Sequence, residues 1–212
     1  MSDVVGISAL TGVPEAVLDG GTGTAVRQVI ERAQAGDRAA FSQIVLWYQR
    51  RVVSTAWRLL GSQADAMDAA QEVFLRLHRY LGSYRSEQDF AGWLYRLVVN
   101  ACHDTRKRRL RHLSLETEGA RGALERLGSG EDVETAVMAR QEERLVAAAL
   151  ETLSEKERAA LVLRDLEGLA TEKVAEILGS SMTTVRSQIS TGRAKLRAFR
   201  ARLHGDALEG EK

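Results

Sequence analysis

The chain carries a single proline, Pro14, and everything after it is proline-free. Proline breaks helices because it lacks an N–H and its ring collides with the preceding turn. Without it, apolar positions recur three and four residues apart over long stretches, and glycine supplies most of the stops. The fold class implied is all-α, with two small helical domains joined by a flexible acidic linker. At 212 residues, 44% hydrophobic and 28% charged, the chain can fill two separate cores.

Residues 1–24 are small and weakly patterned, end in Gly20-Gly21-Thr22-Gly23-Thr24, and read as a flexible extension. The first domain is expected over 25–113. Val26, Val29, Ile30 and Ala33 give a short apolar side before Gly36. Asp37 then caps a longer helix burying Phe41, Ile44, Val45, Tyr48, Val52 and Leu59, closed by Gly61. Ser62, with Asp65 three residues on, opens the next helix, whose predicted seam is Met67, Ala70, Phe74, Leu77 and Leu81. Off that seam lie Asp65, Asp68 and Glu72, with Gln71 beside them; acids near a helix N-terminus also suit the dipole. The polar loop Gly82–Gln88 carries Tyr84, as much a lid on the core as a stacking platform, and Arg85.

The most informative stretch is Asp89–His112. At helical pitch Phe90, Trp93, Leu94, Leu97, Val98 and Ala101 share one side, and Arg96, Asn100, His103, Lys107 and Arg111 form a polar row on another. Its last turns are cationic: Arg106, Lys107, Arg108, Arg109 and Arg111. Such a helix suits a nucleic-acid strand, with cations on phosphates and the polar row toward bases; the plainer reading is a solvated basic tail.

Residues 114–134, rich in Glu and Gly, read as the linker. The second domain is expected over 135–204, beginning with one helix from Met138 to Leu153. Ser154 with Glu157 caps a helix whose apolar positions are Ala160, Leu161, Leu163 and Leu166, stopped at Gly168. Thr171 is expected to cap a short helix containing Val174, Ala175 and Leu178, ended by Gly179. A last helix runs from about Thr183 to Leu203, burying Val185, Ile189, Gly192, Leu196, Phe199 and Leu203, and 205–212 is a tail. No acid occurs between Leu178 and Gly205. Short helix, turn and long basic helix are the order of a helix-turn-helix. In that geometry Thr183, Thr184, Arg186, Ser187, Gln188, Ser190 and Thr191 reach base edges or phosphates, with Arg193, Lys195 and Arg197 farther along.

The net charge is only +1, so affinity for nucleic acid must come from these local patches. Cys102 is the one cysteine, which excludes a disulfide framework and a cysteine zinc site, and the four histidines lack paired ligand spacing. Neither a cofactor nor a catalytic constellation is legible. No apolar run reaches the ~20 residues of a membrane span, and the N-terminus lacks a cationic start, so no membrane insertion and a cytoplasmic location are expected.

GDRAAF, LLGSQADAMDAAQEVFLRL and DFAGWLYRLVVNACHDTRKRR in the first domain, with LETLSEKERAALVLRDLEGLATEKVAEILG and TTVRSQISTGRAKLR in the second, appear in order and properly spaced. Over about Gly36–Leu203 the chain resembles a bacterial sigma factor of the extracytoplasmic-function group. The resemblance implies regions two and four of that family. Asp65, Asp68, Gln71 and Glu72 would dock on the clamp helices of the largest subunit of core RNA polymerase. Tyr84, Arg85, Trp93, Arg96, Asn100, His103, Arg106, Lys107 and Arg108 would hold melted minus-ten strand of promoter DNA. The helix-turn-helix would read the minus-thirty-five duplex, and an anti-sigma factor is an implied partner. Thr183 stands where many relatives have Gly, and Gln188 and Thr191 where they have Arg, so promoter sequence does not transfer. Two other classes compete: a helix-turn-helix regulator acting on duplex without polymerase, and a helical adaptor with no DNA role.

Overall fold

The computed structural model describes residues 24–85, 89–116 and 145–209, with side chains through 111 and 203 in the last two segments. The N-terminal extension through residue 23, the linker beyond 116, the start of the second domain and the first half of the Met138–Leu153 helix lie outside them, as do residues 86–88 of the loop.

The first domain is built from α1 (Thr24–Gln34), α2 (Arg38–Leu60), α3 (Gln63–Tyr80), a 3₁₀ turn (Leu81–Ser83) and α4 (Phe90–Glu116). Its stops are where glycine can take positive φ: Gly36 at +93° and Gly61 at +73°. Asp37 caps α2 by accepting from the amides of Ala39 and Ala40. Ser62 accepts from Asp65 N–H to start α3. Ile44, Tyr48, Val52, Ala56 and Leu59 of α2 meet Ala66, Ala69, Val73 and Leu77 of α3 and Phe90, Leu94, Val98 and Ala101 of α4 in one core. Each large apolar side chain so buried contributes about 1.5–3 kcal/mol. The predicted α3 seam holds at Ala70, Leu77 and Leu81 and is corrected at Met67, which is 54% exposed, with Ala66 and Val73 packing beside them and Phe74 only partly buried. Alanine lets α2 and α3 approach closely where methionine would hold them apart.

Residues 145–151 are helical and lead into α5 (Glu155–Leu161), whose N-terminus carries a complete capping box between Ser154 and Glu157. The chain continues in a π turn (Val162–Leu166), then α6 (Thr171–Leu178) and α7 (Met182–Glu209). The π turn corrects a second expectation. Its extra residue rotates the chain beyond it, leaving Leu166 50% exposed and swinging Glu167 inward. Thr171 is the first residue of α6 rather than its cap, which is Ala170. Helix α7 buries Val185, Ile189 and Gly192, runs on to Glu209 where a tail was expected, and leaves Leu203 exposed. Gly192 lies against Leu161, so α5 and α7 cross tightly there.

The domains pack on each other. Ala91 and Tyr95 of α4 join Ala160, Leu163, Val174 and Ile177 in a second cluster. Cys102 is buried in the first core, which pushes its thiol up to about 12. The α3 register is open to direct test by denaturant unfolding. Leu77→Ala is expected to cost about 2–5 kcal/mol and Met67→Ala less than about 0.5 kcal/mol; equal losses would contradict it.

Candidate nucleic-acid interface

Helix α4 owes its start to Asp89, whose carboxylate accepts from the amides of Ala91 and Gly92 at 3.1 and 3.0 Å. From there its circumference divides. One side enters the first core. The polar row Arg96, Asn100, His103, Lys107 stands off that side, as its spacing requires.

The row is not uniformly open. Asn100 and Lys107 are exposed. Arg96 donates to the backbone oxygen and carboxylate of Glu176 on α6, at 3.0 and 3.2 Å. His103 Nδ1 lies 2.8 Å from Glu155 Oε1 at the start of α5. Arg106 donates to the Leu59 carbonyl at 3.3 Å and lies 3.9 Å from Glu155. Arg108 is exposed and bonds Thr105 on its own helix. Arg85 is exposed too.

Tyr84 is placed differently from a base-stacking platform. It is 5% exposed, its ring 5.3 Å from Phe90 and 5.2 Å from Trp93, and it closes the bottom of the core as a lid. Trp93 is half-buried in that same aromatic group.

The acidic face of α3 splits likewise. Asp68 and Gln71 are exposed. Glu72 receives Arg76 Nε at 2.7 Å, and the same guanidinium reaches Asp104 of α4 at 2.8 Å. Arg76 thus ties the acidic face to the helix bearing the polar row. Asp65 is 3.2 Å from Arg109, in the cationic end of α4.

In the helix-turn-helix, α6 ends at Gly179 with φ +57°, and Ser181 caps α7 by accepting from Thr184 N–H at 3.1 Å. That cap holds Thr183, Thr184, Arg186 and Ser187 at an exposed N-terminal turn, with Ser190, Thr191 and Arg197 exposed farther along. Gln188 is half-buried, its Oε1 without a hydrogen-bond partner. Arg193 is held by a two-point pair to Asp165 at 2.6 and 2.8 Å, which raises its pKa. Lys195 is bound to Glu157 at 2.7 Å. These two cations are therefore committed to the domain's own acids.

Sequence reasoning missed the partners from the second domain: Glu155, Glu176 and, above all, Glu167, whose carboxylate is only 3% exposed. It receives Thr55, Arg58, Tyr95 and Arg51 at 2.7, 3.0, 2.6 and 3.3 Å. Tyr95 has its pKa raised by burial first and then by the Glu167 charge. An acid just before Gly168 reads as a solvated helix end, so no local signal marked it. Among the described residues no group of three or more His, Cys, Asp or Glu could hold a metal, and no helix is long and apolar enough to cross a membrane.

Sigma-70 region 2 matches residues 44–112 and sigma-70 region 4 matches residues 143–196. The chain is 34% identical over 172 residues to the RNA polymerase sigma-H factor of Pseudomonas aeruginosa, covering 79% of this chain and 89% of that one. It is likewise 34% identical over 173 residues to the ECF RNA polymerase sigma-E factor of Escherichia coli, covering 78% and 88%. Among solved structures it is similar to CnrH in complex with the cytosolic domain of CnrY, with TM-score 0.63, 24% identity, and 82% and 96% of the two chains covered. It is also similar to RpoE of Bartonella quintana in complex with the anti-sigma factor NepR, with TM-score 0.61, 20% identity, and 76% and 96% covered. At those identities the structures speak for the fold.

The Glu157 carboxyl is held below its ordinary 4.5, first by the Lys195 hydrogen bond and then by the Ser154 amide. A depressed carboxyl stabilises the fold above its unfolded value and loses that contribution as pH falls through the folded value. Lys195→Met is therefore expected to flatten the acid limb of the unfolding profile below about pH 4.5, followed by circular dichroism; an unchanged limb would contradict the pairing.

Proposed function

This chain belongs to the extracytoplasmic-function group of the sigma-70 family, the factors that bind core RNA polymerase and direct it to promoters, and we propose how its residues divide that work. The first domain, taken as 25–113, supplies region two; the second, 135–204, supplies region four. Asp68 and Gln71, flanked by Asp65 and Glu72, form the face that meets the clamp helices of polymerase's largest subunit, where acids on a rigid helix complement a basic coiled coil. Asn100, with Arg96, His103 and the Trp93 edge, reads the unpaired minus-ten strand, while Arg106, Lys107, Arg108 and Arg85 hold its phosphates. The N-terminal turns of α7 enter the major groove of the minus-thirty-five duplex through Thr183, Thr184, Arg186, Ser187, Gln188, Ser190 and Thr191.

The observation that carries this reading is the coexistence of three exposed polar faces on three helices: Asp68 with Gln71, Asn100 with Lys107, and Thr183 through Ser187. A duplex-only regulator uses the third and leaves the other two without purpose. Melting costs about 1–2 kcal/mol per base step, and stacking a captured base returns about 1–3 kcal/mol. Neither domain needs tight affinity alone, because polymerase holds both and makes the second contact effectively intramolecular. Bond formation belongs to the polymerase. A solved relative is bound to the anti-sigma factor NepR, and a regulator of that kind is proposed as a partner here.

Three substitutions separate the roles. Asp68→Lys is expected to weaken binding to core polymerase without moving the unfolding midpoint. Asn100→Ala is expected to slow open-complex formation, read by permanganate footprinting, more than it weakens closed-complex binding. Arg186→Ala is expected to relax discrimination at one upstream base pair by about 1–3 kcal/mol. Unchanged core binding, equal effects on closed and open complexes, or unchanged upstream selectivity would each remove the corresponding assignment.

A further inference from the structure

Helix α2 carries apolar residues on two sides. Ile44, Tyr48, Val52 and Leu59 enter the first core. Leu46, Val53 and Trp57, at i, i+7 and i+11, follow one another on the opposite side. A helix that serves one core needs only one stripe. The second stripe is incompletely covered: Val53 and Trp57 are half-buried against the edge of the core, and Leu46 is 64% exposed. With Gln63 and Ala66 of α3, Val53 and Trp57 line an open trough of about 450 Å³ that Arg50 also borders. Met67, one turn on from Gln63, is 54% exposed.

The charge at this trough has no answer nearby. Arg50 is exposed and meets no carboxylate among the described residues, whereas Arg51 and Arg58 on another side of the same helix both reach Glu167. An occupant that suits the trough therefore brings aliphatic side chains and an acid. The start of the chain has that composition. Residues 4–18 contain seven Val, Ile and Leu, Glu15 lies among them and Asp19 follows; of the 30 Lys and Arg in the chain, none precedes Arg27. Leu18 is close in sequence to Thr24, where α1 begins and packs on α2. Extended chain covers up to about 3.5 Å per residue, so this stretch reaches about 20 Å, more than half the ~35 Å length of α2. A separate partner needs an interface of about 1,200 Å² or more to hold on its own, which a trough little longer than two helical turns does not offer. A tethered segment is already present at about millimolar effective concentration.

We infer that the trough between α2 and α3 is the docking site of this chain's own residues 4–18, with aliphatic side chains on Val53 and Trp57 and with Glu15 and Asp19 toward Arg50. The contact covers apolar surface that other chains would otherwise find open.

The test places p-benzoylphenylalanine at the position of Gln49, an exposed residue on the rim of the trough, in the full chain. An equal mixture of isotopically labelled and unlabelled protein is irradiated and the products are mapped by mass spectrometry. Crosslinks into residues 4–18 of the same chain are expected. Arg50→Glu is expected to lose most of that yield, and Glu15→Arg with Asp19→Arg in the Arg50→Glu chain to restore it, with circular dichroism unchanged throughout. Crosslinks between labelled and unlabelled chains assign the trough to a second copy and overturn the proposal, as does a map that leaves residues 4–18 untouched. A loss that the reversed acids leave unrestored overturns the placement on Arg50.

Discussion

A helix has one circumference, and α4 must share its own among three claimants. Phe90, Leu94, Val98 and Ala101 commit one side to the first core, and Ala91 with Tyr95 commits another to the second domain. Residues four apart are neighbours on a helix surface, so Arg96 lies beside Gly92, where Lys173 of α6 approaches. The same approach of α6 brings Glu176 onto Arg96. The proposed strand-holding role and the interdomain contact therefore share one helix.

The energetic hinge of the interdomain contact is a charge that ought to be expensive. Glu167 is tolerated because two guanidinium groups and two hydroxyls surround it. Such a cluster adds little net stability over an apolar patch, but breaking it by removing one partner leaves buried charge unpaired. That asymmetry makes the charged group a determinant of how the two domains register, beside the apolar cluster of Ala91, Tyr95, Ala160, Leu163, Val174 and Ile177.

Caps and stops were the most legible part of the sequence, because they depend on single residues: Asp37, Ser62, Ser154, and the glycines at 36, 61, 168 and 179. The α3 seam is legible at Ala70, Leu77 and Leu81 but not at Met67, because Ala66 and Ala69 carry little hydrophobic contrast beside it. The π turn left no local signature at all, and with it went Leu166 and Glu167. Of the proposed site, the polar row of α4 and the acidic face of α3 were readable from spacing alone. Which members of each row are free was not, since Arg96, His103, Arg193 and Lys195 find partners far away in sequence. Tyr84 lay between two readings, and the aromatic group around Phe90 shows the lid.

The most direct measurement is run-off transcription with purified core polymerase and this chain on promoter-containing genomic fragments, with start sites mapped. Defined starts are expected, sharing one upstream duplex element and one melted element at a fixed separation, and disappearing when either domain is deleted. Transcripts that are absent, or that begin without a shared pair of elements, would contradict a factor that works by holding two separate promoter contacts on one polymerase.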